Sequence, residues 1–364
     1  MAENQDVENL KKDVVNKLDQ LNKRKFSASV IADIFRPFQI TGRGRPGLIK
    51  AVKGLKKGDV AKDLAEVDAE LTKILDKHVS FANKKIFLFN LDSETIEKID
   101  DLLKAQTLKM KVFEEKFDHS PAISHDAVLA KAEELDSGTI YYFKSERHYY
   151  KTVPENLRDG DDFSLDYPDA VVVGISKKLR FDLNAFDFIK IDYKHNIIVL
   201  GIDLINVFDR ALSNVKIDEY KTLIKRFGIL DQLNSLNLRK IIPEMEVESS
   251  ETGRVVNHDF STGKGGYTYL GRSGKKSNNM RDDKFFQDGA KNQTLDFFGI
   301  DREYNVSEDE KPIISLGLTE AEFRDSTHNR VEYAILDHIG SYKGLQYCID
   351  KIMMHLHKVN KINE

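Results

Sequence analysis

Tryptophan is absent from this chain, cysteine occurs once, and proline occurs only 7 times among 364 residues. The single Cys348 excludes an internal disulfide framework and points to a reducing compartment. It lies in a stretch of helical periodicity and reads as a buried structural thiol. Scarce proline, with 40% hydrophobic and 32% charged residues, excludes a low-complexity or disordered chain. No window approaches the ~18 apolar residues of a membrane-spanning helix, and the start Met1-Ala2-Glu3-Asn4-Gln5-Asp6 lacks the basic and apolar regions of a secretion signal. The expectation is a cytoplasmic protein with no membrane contact. A net charge of -4 excludes attraction of the whole molecule to polyanions, so any such binding must come from local patches.

What is present predicts an α+β fold: an N-terminal helical hairpin, a central mixed or antiparallel sheet with flanking helices, a long basic loop and a C-terminal helix. Three regions are expected, at 1–80, 81–247 and 248–364. Val7, Leu10, Val14, Leu18 and Leu21 share one helical face, and Val60, Leu64, Val67, Leu71 and Ile74 repeat the pattern after a cap at Asp59. The two are expected to pack as an antiparallel hairpin, with self-association as the alternative. Ile86 to Phe89 reads as a buried strand, followed by a helix capped at Ser93. Strands are expected at 139–143, 170–173, 186–192 and 197–202, with Lys194-His195-Asn196 as a turn. Helical spacing resumes over Val207 to Phe227. Residues 248 to 311 read as a long loop or a loosely built insertion, and Val331 to Val359 as a terminal helix.

Two basic segments stand out. The first contains Arg36, Arg43 and Arg45, extended by Lys50, Lys53, Lys56 and Lys57. Arg43-Gly44-Arg45-Pro46 is similar to the core of an AT-hook, which implies arginines entering the narrow minor groove of A·T-rich DNA. A turn between two helices is the structural alternative, and a general phosphate contact the broader functional one. The second runs from Ser261 to Arg281, with Lys264, Arg272, Lys275, Lys276 and Arg281 among glycines and Tyr267 and Tyr269. Cations, mobile amides and aromatic rings suit a nucleic-acid strand, while a solvated loop needs the same residues only for solubility. The Gly271–Ser277 stretch misses the spacing of a nucleotide phosphate loop, which disfavours a nucleotide hydrolase.

Pro168-Asp169 and Asp192-Tyr193-Lys194 match the literal pattern of PD-(D/E)xK nucleases. That resemblance implies Asp169 and Asp192 holding Mg²⁺ beside Lys194 as the water-orienting base. No other metal or cofactor is expected, since the histidines lack a ligand spacing and His355 and His357 point apart. Arg324 and His328 fall one residue short of the spacing in HEPN-type ribonucleases. Lys-, Asn- and Ile-rich usage hints at an A·T-rich bacterial or mobile-element source and a defence role. The leading expectation is a nucleic-acid-associated accessory or effector protein. The alternatives are a metal-dependent nuclease, and a scaffold binding a protein partner or a second copy through its terminal helices.

Overall fold

The computed structural model describes residues 2–24, 26–55, 61–81, 83–112, 116–120, 124–155, 175–204, 218–224, 234–262, 266–270, 279–291, 294–325, 327 and 330–362. The expected strand at 170–173 and the helical stretch at 207–215 lie outside them.

The apolar stripes produce the expected N-terminal helices, α1 (Ala2–Lys23) and α4 (Ala61–Phe81), with the shorter α2 (Ala28–Phe35) and α3 (Gly44–Gly54) between them. Val14, Leu18 and Leu21 of α1 and Leu64, Val67 and Leu71 of α4 are fully buried in one core, where each such side chain contributes roughly 1.5–3 kcal/mol. The direction of pairing differs from the expected antiparallel one. Lys11 donates to the Leu55 carbonyl, Lys17 pairs with Asp68, and the Phe26 ring sits edge-on to His78, so α1 and α4 rise together. The α2–α3 segment supplies the return, which a short hairpin loop would otherwise have made.

The described strands form one sheet in which every adjacent pair is antiparallel. They are β1 (Lys84–Asn90), β2 (Val128–Leu135), β3 (Gly138–Glu155), β4 (Ile175–Asp192), β5 (Ile197–Asp203), β6 (Gly253–Thr262), β7 (Gly266–Leu270), β8 (Leu295–Tyr304), β9 (Ile313–Gly317) and β10 (Ala334–Asp337). Their order across the sheet is β2-β3-β4-β5-β1-β10-β9-β8-β6-β7. The sheet therefore runs across the expected boundary at 247, because β1 pairs with β10.

The helix α5 (Ser93–Met110) starts one residue earlier than the Ser93 cap implied, since Asp92 accepts from the Thr95 amide at 2.8 Å and is itself the cap. The remaining helices are α6 (Ile242–Val247), α7 (Lys284–Ala290), α8 (Glu320–Arg324) and α9 (Tyr342–Ile362). One sheet face, with Ile86, Leu88, Phe186, Phe188 and Val199, packs against the α1–α4 unit and α9. The other, with Phe87, Phe89, Ile189, Ile191 and Leu200, packs under α5 and the helical residues 218–224. Cover on both faces is why β1 and β5 are nearly unbroken apolar runs.

Two further corrections concern the last third of the chain. Residues 248–311, expected as a loop, contain β6, β7 and β8. Bulges between Val255 and Asn257 and between Asp259 and Phe260 interrupt the alternation that would have marked β6. The terminal helix begins at Tyr342 rather than Val331, because Ala334–Asp337 fills the gap between β1 and β9 as a strand. Cys348 is fully buried on α9 and burial pushes its thiol up, as a structural role requires.

Candidate nucleic-acid interface

At one end of the central strands, β4 and β5 stop pairing after Phe188 meets Gly201, and two aspartates take over the main-chain groups released there. Asp203 accepts from the Phe186 amide at 2.9 Å, and Asp187 accepts from the Asp203 amide at 2.8 Å. On the α1 side of the sheet, Arg24 grips both oxygens of Asp203, and Lys84 lies 3.4 Å from one of them. On the opposite side Arg147 and Tyr220 share the second oxygen of Asp187, and Arg147 also donates to the Asp203 carbonyl at 2.7 Å. Both aspartates are buried, and all four of their carboxylate oxygens are occupied. Burial would raise Asp203, but Arg24 and Lys84 overcome it and hold the carboxyl well below the usual range. Beside them, burial and the Arg24 charge draw His78 down to about 4.

This cluster clamps the end of α1 onto β4, since Arg24 also donates to the Asn184 carbonyl at 2.8 Å and Lys23 to the Asp182 carbonyl at 2.8 Å. Two cationic surfaces are each tied to the end of α1, one through Arg45 and Asn22 and the other through Lys23 and the Asp182 carbonyl. The first is α3. Its N-cap, Arg43, makes no side-chain cap bond and its first turn holds no acid, so the free amides and the helix dipole favour an anion. Arg43 is exposed just ahead of the helix, and Lys50 and Lys53, three positions apart on it, are exposed as well. No aspartate or glutamate occurs between Asp33 and Asp59. Arg45 bonds Asn22 at 2.5 Å, which ties the start of α3 to the end of α1. The turn is close-packed: a Cβ at Gly42 would lie 2.2 Å from the Gly47 carbonyl carbon, and Gly44 takes φ 65°. Arg43–Pro46 thus forms a turn and the first helical residues, rather than the extended peptide that an AT-hook lays along the groove.

The second surface is a two-stranded arm. From Ser145 paired with Ala185 to Glu155 paired with Ile175, β3 and β4 pair only with each other among the described residues, over a length of about 35 Å. Consecutive residues 176–180 are exposed, so both faces of that strand meet solvent. On the face turned toward α1, Tyr150 stands opposite Arg180 and Thr152 opposite Lys178. The Lys178 ammonium lies 4.4 Å from the Tyr150 ring centre, and the rings of His125, His148 and Tyr150 follow at 5.8 and 5.5 Å. Arg180 is held by Asp182 at 2.6 Å. Rings interleaved with cations can stack bases and approach phosphates together.

The expected site residues separate. Arg43 and Arg45 fall on α3, and Arg36 beside it is paired with Asp33 at 2.6 Å. Lys264, Arg272, Lys275 and Lys276 lie outside the described residues, as do Lys56 and Lys57. Arg281 is turned inward and donates to the carbonyls of Glu246 and Glu248 at 2.8 Å each, so it is a structural clamp. Asp169 and His328 also lie outside the described residues. Asp192 is fully buried against Lys190 at 2.7 Å, with Gln346 on the same oxygen and the His195 amide on the other. Lys194 reaches Asp350 at 2.7 Å instead of Asp192. Among the described residues no three His, Cys, Asp or Glu side chains cluster to hold a metal ion.

Lys23, His148, Tyr150, Lys178 and Arg180 escaped sequence reading. For Lys178 and Arg180 the local signal is alternation along Lys177–Leu183, which acquires meaning once the β3–β4 register is known. No protein-family model matches the chain and no curated protein matches it, so the functional reading rests on geometry.

Proposed function

We propose that this protein binds nucleic acid without cleaving it, holding the phosphate backbone between α3 and the β3–β4 arm. The supporting observation is three exposed cations, Arg43 at the start of α3 and Lys50 and Lys53 on it, in a segment free of carboxylates, on the same side of the sheet as the Tyr150–Lys178 stripe. Cations on α3 supply sequence-independent attraction, and the arm supplies ring faces for unpaired bases. The nuclease reading has less support, because every carboxylate oxygen of Asp192 already has a partner. The terminal-helix scaffold has less as well, because the stripes of α1 and α9 are spent in the protein's own core.

The test is fluorescence anisotropy with single- and double-stranded DNA and RNA over a salt series. Binding should weaken steeply with salt, with a log–log slope of about -0.7 per phosphate contacted on single strands. The combined Arg43→Ala, Lys50→Ala and Lys53→Ala protein should lose affinity for every sequence and show a shallower slope. Salt-independent binding, or full binding by that variant, contradicts the proposal.

A further inference from the structure

At the other end of the central strands, the β4–β5 turn and one face of α9 enclose a groove of about 670 Å³, within the ~300–1,000 Å³ typical of small-ligand sites. The turn contributes Lys194 and His195. The helix contributes Tyr347, Met354, His357 and Lys361, spaced to share its outward face while Ile349, Ile352 and Leu356 face the core. Met354, His357 and Lys361 are exposed. Two more lysines on the wall, Lys351 and Lys358, are held by Glu248 and Glu244.

Among the described residues one carboxylate lines this groove, Asp350, and its charge is already engaged. Its Oδ2 accepts from Lys194 at 2.7 Å, and its Oδ1 meets His195 Nε2 at 2.7 Å and Gln346 at 2.9 Å. Gln346 bridges from there to Asp192 at 2.9 Å, behind the groove. Asp192 pairs with Lys190 at 2.7 Å, and neither side chain has any exposure. Lys190 in turn reaches Ser137 Oγ at 3.3 Å, and Ser137 contacts the Tyr342 hydroxyl at 2.5 Å. Desolvating such a pair is costly, and its hydrogen bonds hold both partners in place. Here the geometry it fixes runs through Gln346 and Asp350 to the two basic side chains of the turn.

We propose that this groove binds a nucleotide phosphate, with Lys194, His357 and Lys361 on the phosphates and the base lying over Tyr347 and Met354. The flat ring gains from the apolar floor, and the charged groups gain from a low-dielectric wall that concentrates their field. The ligand is either a free nucleotide or the phosphorylated end of a strand, and the site is independent of the α3 surface.

Isothermal titration of the full chain with ATP, adenosine, inorganic tripolyphosphate and a dinucleotide with or without a 5′-phosphate tests this. Saturable binding is expected for ATP or the 5′-phosphorylated dinucleotide, whichever is the source. Adenosine and the unphosphorylated dinucleotide should bind far more weakly. Joint replacement Lys194→Ala and Lys361→Ala, at exposed positions, should weaken the bound ligand at least about tenfold, the scale of lost charge-assisted contacts. Arg43→Ala with Lys50→Ala should leave it unchanged, which separates this site from the backbone grip. Absence of binding by every phosphorylated probe, equal affinity in the Lys194/Lys361 variant, or tripolyphosphate binding as tightly as ATP overturns the proposal.

Discussion

The Arg24–Lys84–Asp203 cluster and the outward face of α3 use the same cationic chemistry with opposite outcomes. Inside, Arg24 meets a buried carboxylate bidentately and Lys84 sits beside it and two main-chain carbonyls. Outside, Arg43, Lys50 and Lys53 stand exposed on a segment without a single acid. Charge satisfied in the interior fixes where elements sit, whereas charge left on the surface is free to meet a partner. Stability and binding should therefore respond to different arginines.

The largest effect is expected inside. Arg24→Ala leaves the buried Asp203 carboxylate with Lys84 at 3.4 Å but without its bidentate partner, and breaking such a pair costs up to roughly 3–5 kcal/mol. Urea unfolding should show that loss, while Arg43→Ala stays within about 0.5 kcal/mol of the parent. Equal losses would erase the distinction between the two regions.

The next effect is pH-dependent. Since His78 is drawn down to about 4 in the folded protein, its contribution is present above pH 6.5 and is lost as pH falls toward 4. The loss is on the order of 3 kcal/mol at most. Glu246, which burial holds up to about 7, works the other way: its contribution is full below pH 4.5 and fades as pH rises through 7. His78→Gln removes the first term alone, so the difference between variant and parent across pH 4–6.5 isolates it. A parallel pair of stability profiles would refute the assignment.

Smaller still is the effect of Tyr150→Ala, which removes one stacking ring. It should cost about 1–3 kcal/mol of single-strand affinity and less on duplex, measured by anisotropy. Arg36→Ala marks the lower limit. Its exposed pair with Asp33 is worth about 0–1 kcal/mol, so stability and binding should both barely move.

The helices were largely legible because a 3.6-residue stripe reports one buried face whatever covers it. The β4–β5 hairpin was equally legible, with Asp192 ending one strand and Ile197 opening the next around a turn where Asn196 takes φ 51°. The strands after 248 were not, because bulges in β6 shift its alternation partway along. Val331–Val359 misled for a related reason: Ile335 and Ile339 fit a helical stripe, yet Ile335 lies in β10 and only the gap beside β1 selects strand geometry. Of the expected cations, Arg43 is exposed beside α3, Arg45 bonds Asn22 and Arg281 is turned inward, a difference no local pattern encodes.

Composition and periodicity alone determined that this chain folds as α+β around apolar helices and strands, with basic charge concentrated in a few segments. Only the tertiary structure decided which charges are architecture and which are surface. Arg24 and Asp203 stand 179 positions apart, and their pairing depends on α1 docking against the end of the sheet. The physical reason is that burial and periodicity are properties of neighbouring residues, whereas the field at a charged group is set by whatever the fold brings beside it.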